Sequence, residues 1–277
     1  MRAGLLQMTS VDDPATNIVQ IKALARQAVA EGAEFLLSPE VSNCISNSHS
    51  HQRAVLRPEA TDPMLAEMRE FAAAEGVWLL LGSLGLLTED ADGRFANRSF
   101  LINAQGEIAA RYDKIHMFDV TVSESETYRE SDSYRPGGQA VVADTPFGRV
   151  GMAVCYDLRF PHLFRDLARA GAEILTLPAA FTQVTGEAHW HPLLRARAIE
   201  CGAFVLAPAQ TGAHPTAPNG PRRTFGHSLA IDPWGRVLAD AGTAPGVTCI
   251  DLDLGEVAAA RRKIPSLTAD AAYAAPR

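Results

Sequence analysis

Four cysteines in 277 residues, Cys44, Cys155, Cys201 and Cys249, leave no CxxC pair and no close spacing. That excludes a zinc ribbon and a disulfide framework, so each thiol is judged alone. Long apolar runs are missing as well. The most apolar window, Gly76 to Leu87, is too short and too interrupted by glycine to span a bilayer. The opening MRAGLLQMTSVDD has one arginine and a brief apolar run that soon meets acidic residues, unlike a secretory signal. Excess positive charge is also lacking: 25 Lys and Arg against 32 Asp and Glu give a net charge of -7, which argues against nucleic acid or an anionic membrane as the main partner. A cytoplasmic protein acting on a small molecule is the expectation. With 47% hydrophobic and 21% charged residues and no low-complexity tract, the chain has the composition of an ordinary globule with a substantial core.

No composition break marks a linker, so one domain over residues 1–277 is expected. Ala3 to Thr9 reads as a buried strand. Asp13-Pro14 starts a helix whose Ile18, Ile21, Leu24, Ala25, Ala28 and Val29 recur at helical spacing, and Gly32 ends it. Glu34 to Ser38 is the next strand, followed by a polar loop from Pro39 to Ala60. Thr61-Asp62-Pro63 signals a second helix before the strand Val77 to Gly82. Ser99 to Asn103 and Glu107 to Tyr112 form a hairpin, Asp119 to Gln139 a long loop, and Ala140 to Asp144 with Arg149 to Val154 a second pair. A helix over Pro161 to Ala170, a strand Glu173 to Leu177, a helix Ala188 to Cys201 and a strand Phe204 to Ala207 follow. A hairpin around Asp232-Pro233-Trp234-Gly235 and a strand Val247 to Leu252 close the series. Helices alternating with strands and hairpins indicate mixed sheets covered by helices, stacked as a layered sandwich.

Three residues at strand ends could carry chemistry. Cys155 closes the strand Val150 to Val154, where a cysteine alone reads as packing. Directly after it come Tyr156, Asp157 and Arg159, a polar cluster where a reactive group would emerge from the core. A thiol there needs a base or a positive neighbour to act as a nucleophile. Glu40, two residues past a strand with Pro39 stiffening the backbone, offers the base, although alone it reads as a solvated acid. Lys114, after the strand of Tyr112, reads alone as an exposed lysine.

Together the segments LLSPE (Leu36 to Glu40), RYDKIHMFD (Arg111 to Asp119) and GMAVCYDLRFP (Gly151 to Pro161) resemble the Glu, Lys and Cys motifs of the nitrilase superfamily of carbon-nitrogen hydrolases. ESDSYRPG, PAAFTQVTGEAHWHPLLRARAIE and FGHSLAIDPWG extend the resemblance over nearly the whole chain. CYDxRFP and TGxAHW are most similar to the amidase branch holding deaminated glutathione amidases and ω-amidases.

The resemblance implies an α/β fold, an αββα four-layer sandwich of two stacked mixed sheets that pairs into a homodimer or larger assembly. It implies a hydrolase of linear amides that releases acid and ammonia through a Cys155 thioester, with deaminated glutathione the favoured substrate and 2-oxoglutaramate or an N-carbamoyl compound the alternatives. Glu40 would be the base, Lys114 and the Tyr156 N–H the oxyanion donors. Glu130, ahead of Pro136-Gly137, would orient Lys114 or the substrate, with Glu124 and Glu126 as competing acids. Arg159 either clamps a substrate carboxylate or braces its loop. Phe181, Thr182 and Thr185 would line the pocket, and His189 would assist or cap the helix.

No metal and no cofactor are required. Arg195, Arg197 and Glu200 suit ion pairs that fix a helix, His227 and Ser228 suit a structural strand position, and Cys44, Cys201 and Cys249 suit packing. The rival classes are a metal-dependent hydrolase using His49-x-His51 or His189-x-His191, and a silent binding protein on the same fold. Alternate residues on a helix diverge, which weakens the second pair as a metal site.

Overall fold

Two aspartates set the long helices of the N-terminal half. Asp13 caps the helix Pro14–Ala30 by accepting from the N–H groups of Ala15 and Thr16 at 3.2 and 3.1 Å. Asp62 caps Pro63–Glu75 by accepting from Leu65 N at 2.9 Å, and Gly76 ends that helix with φ +66°. The computed structural model describes residues 1–123, 126–215, 222–269 and 271–274.

These helices pack on one face of a seven-stranded sheet. Its main order is Gly246–Asp251, Arg2–Gln7, Phe35–Leu37, Trp78–Leu86, Phe95–Ile102 and Ile108–Asp113, with Tyr134–Arg135 paired beside Phe95–Ile102. Arg2–Gln7, Phe35–Leu37 and Trp78–Leu86 run parallel, and antiparallel strands flank them. A second, six-stranded sheet repeats the plan, with Gly148–Met152, Ile174–Thr176 and Phe204–Ala207 parallel at its centre.

Side-chain alternation decides the layering. Leu6, Met8 and Leu36 join Ile21, Ala25, Met64 and Met68 of the two N-terminal helices in one core. Ala3, Leu5, Phe35 and Leu37 point the other way, into a core shared with Val150, Met152 and Ile174 of the second sheet. The far side of that sheet is covered by helices Pro161–Arg169 and Gln183–Cys201, through Phe164, Leu167, Trp190 and Leu194. The layers are therefore helix, sheet, sheet, helix, as the sequence leads one to expect.

Several segments differ from the sequence reading. The supposed loop from Pro39 to Ala60 contains the helix His49–Val55, capped by Ser48 and burying only Gln52. The supposed loop from Asp119 to Gln139 contains the hairpin Asp119–Ser123 with Glu126–Arg129. The helix expected from Ala188 begins at Gln183, and Gly186 admits the Phe225 ring where a Cβ would meet it at 2.3 Å. The strand pair Thr211–His214 and Arg222–Phe225 and the helix Gly255–Lys263 had no counterpart in that reading.

Candidate active site

The ends of the two sheets meet at a tight crossing. A Cβ at Gly82 would stand 1.9 Å from Ser38 O and 2.5 Å from Pro178 Cβ, so only glycine lets the segments Ser38 to Glu40 and Pro178 to Ala180 come together. Cys155 joins them by donating its N–H to Pro178 O at 2.9 Å. Three described non-glycine residues have left-handed φ, and two are here: Val41 at +46°, beside Glu40, and Cys155 at +49°. Such backbone costs of order 1–3 kcal/mol and is held only by its surroundings.

Glu40, Lys114 and Cys155 are 4%, 2% and 7% exposed, so neither Glu40 nor Lys114 is the solvated residue it suggests alone, and Cys155 is buried as its strand position leads one to expect. Lys114 Nζ donates to Glu40 Oε1 at 3.0 Å and to both oxygens of Glu130 at 2.9 and 2.8 Å. Glu130 also accepts from Phe118 N at 2.7 Å, which fixes it as the acid facing Lys114. Glu124 lies outside the described residues, as does the side chain of Glu126. Glu40 Oε2 accepts from Ala180 N at 2.8 Å.

Asn97, which sequence reasoning missed, donates to Glu40 at 2.9 Å and Glu130 at 3.3 Å and ties the two carboxylates together. It sits in the middle of the strand Phe95–Ile102 with no motif around it.

This arrangement sorts the protons. Burial opposes charge on Glu40, but the Lys114 ammonium and a hydrogen bond with Cys155 hold its carboxyl below the ordinary value. Burial likewise opposes charge on Lys114, yet the Glu130 and Glu40 carboxylates raise it well above its usual range. The Cys155 thiol is pushed well up, first by burial and then by the Glu40 carboxylate, with Lys114 pulling the other way. The resting set is thus carboxylate, ammonium and neutral thiol.

The turn Cys155–Arg159 is anchored from beneath by Asp157, which is 0% exposed. It accepts from Tyr112 OH at 2.7 Å, Val154 N at 2.8 Å, His116 N at 3.0 Å and contacts His116 Nδ1 at 2.7 Å. Arg197 braces the same turn, donating to Leu158 O from Nε and Nη2 at 3.0 and 2.7 Å and pairing with Glu200 at 2.7 Å. Arg195 instead donates to Gly235 O at 2.8 Å. Ser228 is structural, bonded to Gln7 and Ala209.

Above the cluster opens a cavity of about 1000 Å³, mouth included. The expected Tyr156, Phe181, Thr182 and Thr185 line it. Arg159 and His189 do not: they stand behind the wall, Arg159 Nη2 3.2 Å from His189 Nδ1, with the guanidinium 5.9 Å from the Tyr156 ring and 5.6 Å from that of Phe181. Among the described residues Arg159 forms no ion pair with an acid.

Arg129 and Arg222, neither of them singled out from the sequence, line the cavity instead. Arg222 Nη2 donates to Ala180 O at 3.0 Å, bracing the residue whose N–H feeds Glu40, while its Nε is buried with no partner among the described residues. Lys114, Arg129 and Arg222 face two carboxylates, Glu40 and Glu130, an excess of one positive charge.

Cys44 also reaches the cavity wall, its thiol pushed up to about 12 by burial, whereas Cys201 and Cys249 lie outside it. The His49 and His51 pair splits, the first stacked on Phe95 and the second 2.8 Å from Asp12 O. His189 and His191 split likewise, toward Arg159 and Asp240.

Comparison with known proteins agrees with this architecture. The sequence profile of the carbon-nitrogen hydrolases matches residues 2–262. A Yersinia enterocolitica protein named deaminated glutathione amidase is 42% identical over 265 residues, 95% of this chain and 91% of its own. The C. elegans NitFhit crystal structure superposes with TM-score 0.88 at 35% identity over 97% of this chain, which spans only 64% of that longer one. A Saccharomyces cerevisiae member of branch 10 of the nitrilase superfamily superposes with TM-score 0.83 at 26% identity, covering 96% of this chain and 94% of its own.

Proposed function

The chain belongs to the carbon-nitrogen hydrolase family and is a hydrolase of amides, and we propose that it is a thiol amidase for a small linear amide bearing a carboxylate. The observation that carries this reading is the convergence of Cys155, Glu40, Lys114 and Glu130 on one cavity.

Because sulfur holds its proton at rest, attack and proton transfer go together. Cys155 Sγ bonds to the amide carbonyl carbon while Glu40 takes the thiol proton, a contribution of about 10²–10⁴-fold. Lys114 and the Tyr156 N–H receive the oxyanion, each such donor contributing roughly 3–4 kcal/mol. Lys114 can serve because Glu130 holds it through two oxygens, and release of one contact frees a donor. Collapse breaks the C–N bond, and Glu40 returns the proton to the leaving nitrogen. Water, deprotonated by Glu40, then attacks the thioester, freeing the acid and restoring the thiol. No cofactor or metal enters these steps.

The excess positive charge at Arg129 and Arg222 suits a substrate carboxylate, and Arg159 behind the aromatic wall adds to the field. The Yersinia enterocolitica relative's name makes deaminated glutathione the first substrate to test. Its amide nitrogen is substituted, so the amine that leaves is cysteinylglycine; ammonia leaves only from primary amides. Residues 1–277 act as one domain in this reading, as a cytoplasmic homodimer or larger homo-oligomer. No helix among the described residues is long and apolar enough to cross a membrane, which fits that placement.

The test is acid and amine release by the purified chain from deaminated glutathione, 2-oxoglutaramate, an N-carbamoyl amino acid and a neutral aliphatic amide. The expected result is the highest kcat/KM on deaminated glutathione and the lowest on the neutral amide. Equal values on the charged and neutral amides would overturn the carboxylate assignment.

A further inference from the structure

We propose that His191, His227 and Asp240 form a site for a zinc-class divalent cation, separate from the catalytic cavity. His191 lies on the helix Gln183–Cys201, His227 precedes the strand Leu229–Ile231, and Asp240 ends the strand Val237–Asp240. One ligand atom from each lies within 4.8 Å of the other two. His191 Nε2 is 3.0 Å from Asp240 Oδ2 and His227 Nδ1 is 2.8 Å from Oδ1. The imidazole centroids are 5.5 Å apart with planes at 70°, a convergent rather than stacked pair.

Around tetrahedral zinc, ligand atoms about 2.0–2.1 Å from the metal stand about 3.3 Å from one another. Both imidazole–carboxylate separations already fall within that span. Those two contacts go to different oxygens, so for one oxygen to serve as the ligand the second imidazole must approach it and the other imidazole, each remaining gap closing by about 1.5 Å at most.

The ligands are held independently of any ion. His227 is the third described non-glycine residue with left-handed φ, at +56°. Its N–H donates to Gly242 O at 2.7 Å, and its carbonyl accepts from Trp190 Nε1 at 2.8 Å, from the residue next to His191. The Phe225 ring stacks on it at 4.4 Å, and Gly242 N donates to Asp240 Oδ1 at 2.9 Å.

Without metal, each imidazole directs one nitrogen at the carboxylate. On coordination that nitrogen supplies its lone pair and the proton resides on the opposite ring nitrogen, Nδ1 of His191 and Nε2 of His227. Two N–H···O contacts give way to two nitrogen–metal bonds and one oxygen–metal bond, with water in the fourth position. Two imidazoles and one carboxylate suit zinc or cobalt better than magnesium or calcium. A bound ion would pin the helix that carries the cavity residue Thr185 to the strand ending at Asp240.

The experiment titrates Co²⁺ into the full chain carrying Cys155→Ala, which removes the competing active-site thiol. Expected are one Co²⁺ per chain with a visible d–d spectrum, displacement by Zn²⁺, and at least about 10–100-fold weaker binding in His191→Ala, a range already seen for outer-shell partners. Asp240→Asn is expected to act likewise, and replacing His191, half-buried on a helix face, is expected to leave the fold intact, which an unchanged Tm checks. Absence of saturable binding, or binding unchanged in His191→Ala, would identify the cluster as a hydrogen-bonded His–Asp–His bridge and overturn the proposal.

Discussion

Glu40 and Asp157 are two buried carboxylates near the same sheet ends, and their surroundings make them opposites. Asp157 has all its partners on the protein: a phenol, two backbone N–H groups and an imidazole fill both oxygens, and nothing opens onto it. Glu40 is bound to an ammonium, an amide and one N–H but also faces a thiol on the floor of a cavity. A satisfied, enclosed carboxylate holds a turn in place. One that shares a cavity with a proton donor of shifted affinity is equipped to move a proton.

Substitution separates the two roles. Glu40→Gln keeps the shape and removes the base, so kcat/KM is expected to fall about 10²–10⁴-fold with little change in Tm. Asp157→Asn turns an amide N–H toward groups that already donate, and is expected to cost about 1–3 kcal/mol of stability. Urea unfolding measures that loss, and a destabilisation by Glu40→Gln as large as that by Asp157→Asn would erase the contrast. Arg222→Gln tests the rim of the cavity: KM for a carboxylate-bearing amide should rise about tenfold, the scale of one charged hydrogen bond, and by clearly less for a neutral amide, any loss common to both amides reporting the brace on Ala180.

The smallest expected effect is that of pH across the neutral range. Glu40, held low, is ready to accept a proton at every pH above its depressed value, so activity is lost only on the acid side of the ordinary carboxylate range. Cys155 and Lys114, both held high, keep their protons into the alkaline range. A flat kcat/KM between those limits is expected, and a step near pH 6 to 7 would place the titrating base elsewhere.

The parts legible in the sequence are those whose signals are local. Asp13-Pro14 and Asp62-Pro63 announce helices because the cap and the fixed proline φ act within one turn. Glu40, Lys114 and Cys155 are legible because each follows a strand end within a motif. The helix His49–Val55 is not: HSHQRAV lacks an apolar stripe, and a cap with tertiary contacts holds it. The far wall of the cavity, including Cys44 and His49, comes from that helix and the polar stretch leading into it, where no local pattern marks a cavity wall. Asn97 and Arg222 act through long-range contacts, to residues 57 and 42 positions away, which no local pattern encodes. Arg159 shows the converse, a residue four positions after Cys155 whose side chain stands behind the cavity wall.

The central claim is that Cys155 becomes acylated, and the direct test is mass analysis of the chain quenched during turnover of a slowly hydrolysed amide. Two thiols reach this cavity, Cys44 and Cys155, and peptide mapping tells them apart. An acyl adduct on the Cys155 peptide, absent from Cys155→Ala, is the predicted result. An adduct on Cys44, or full turnover by Cys155→Ala, would contradict it.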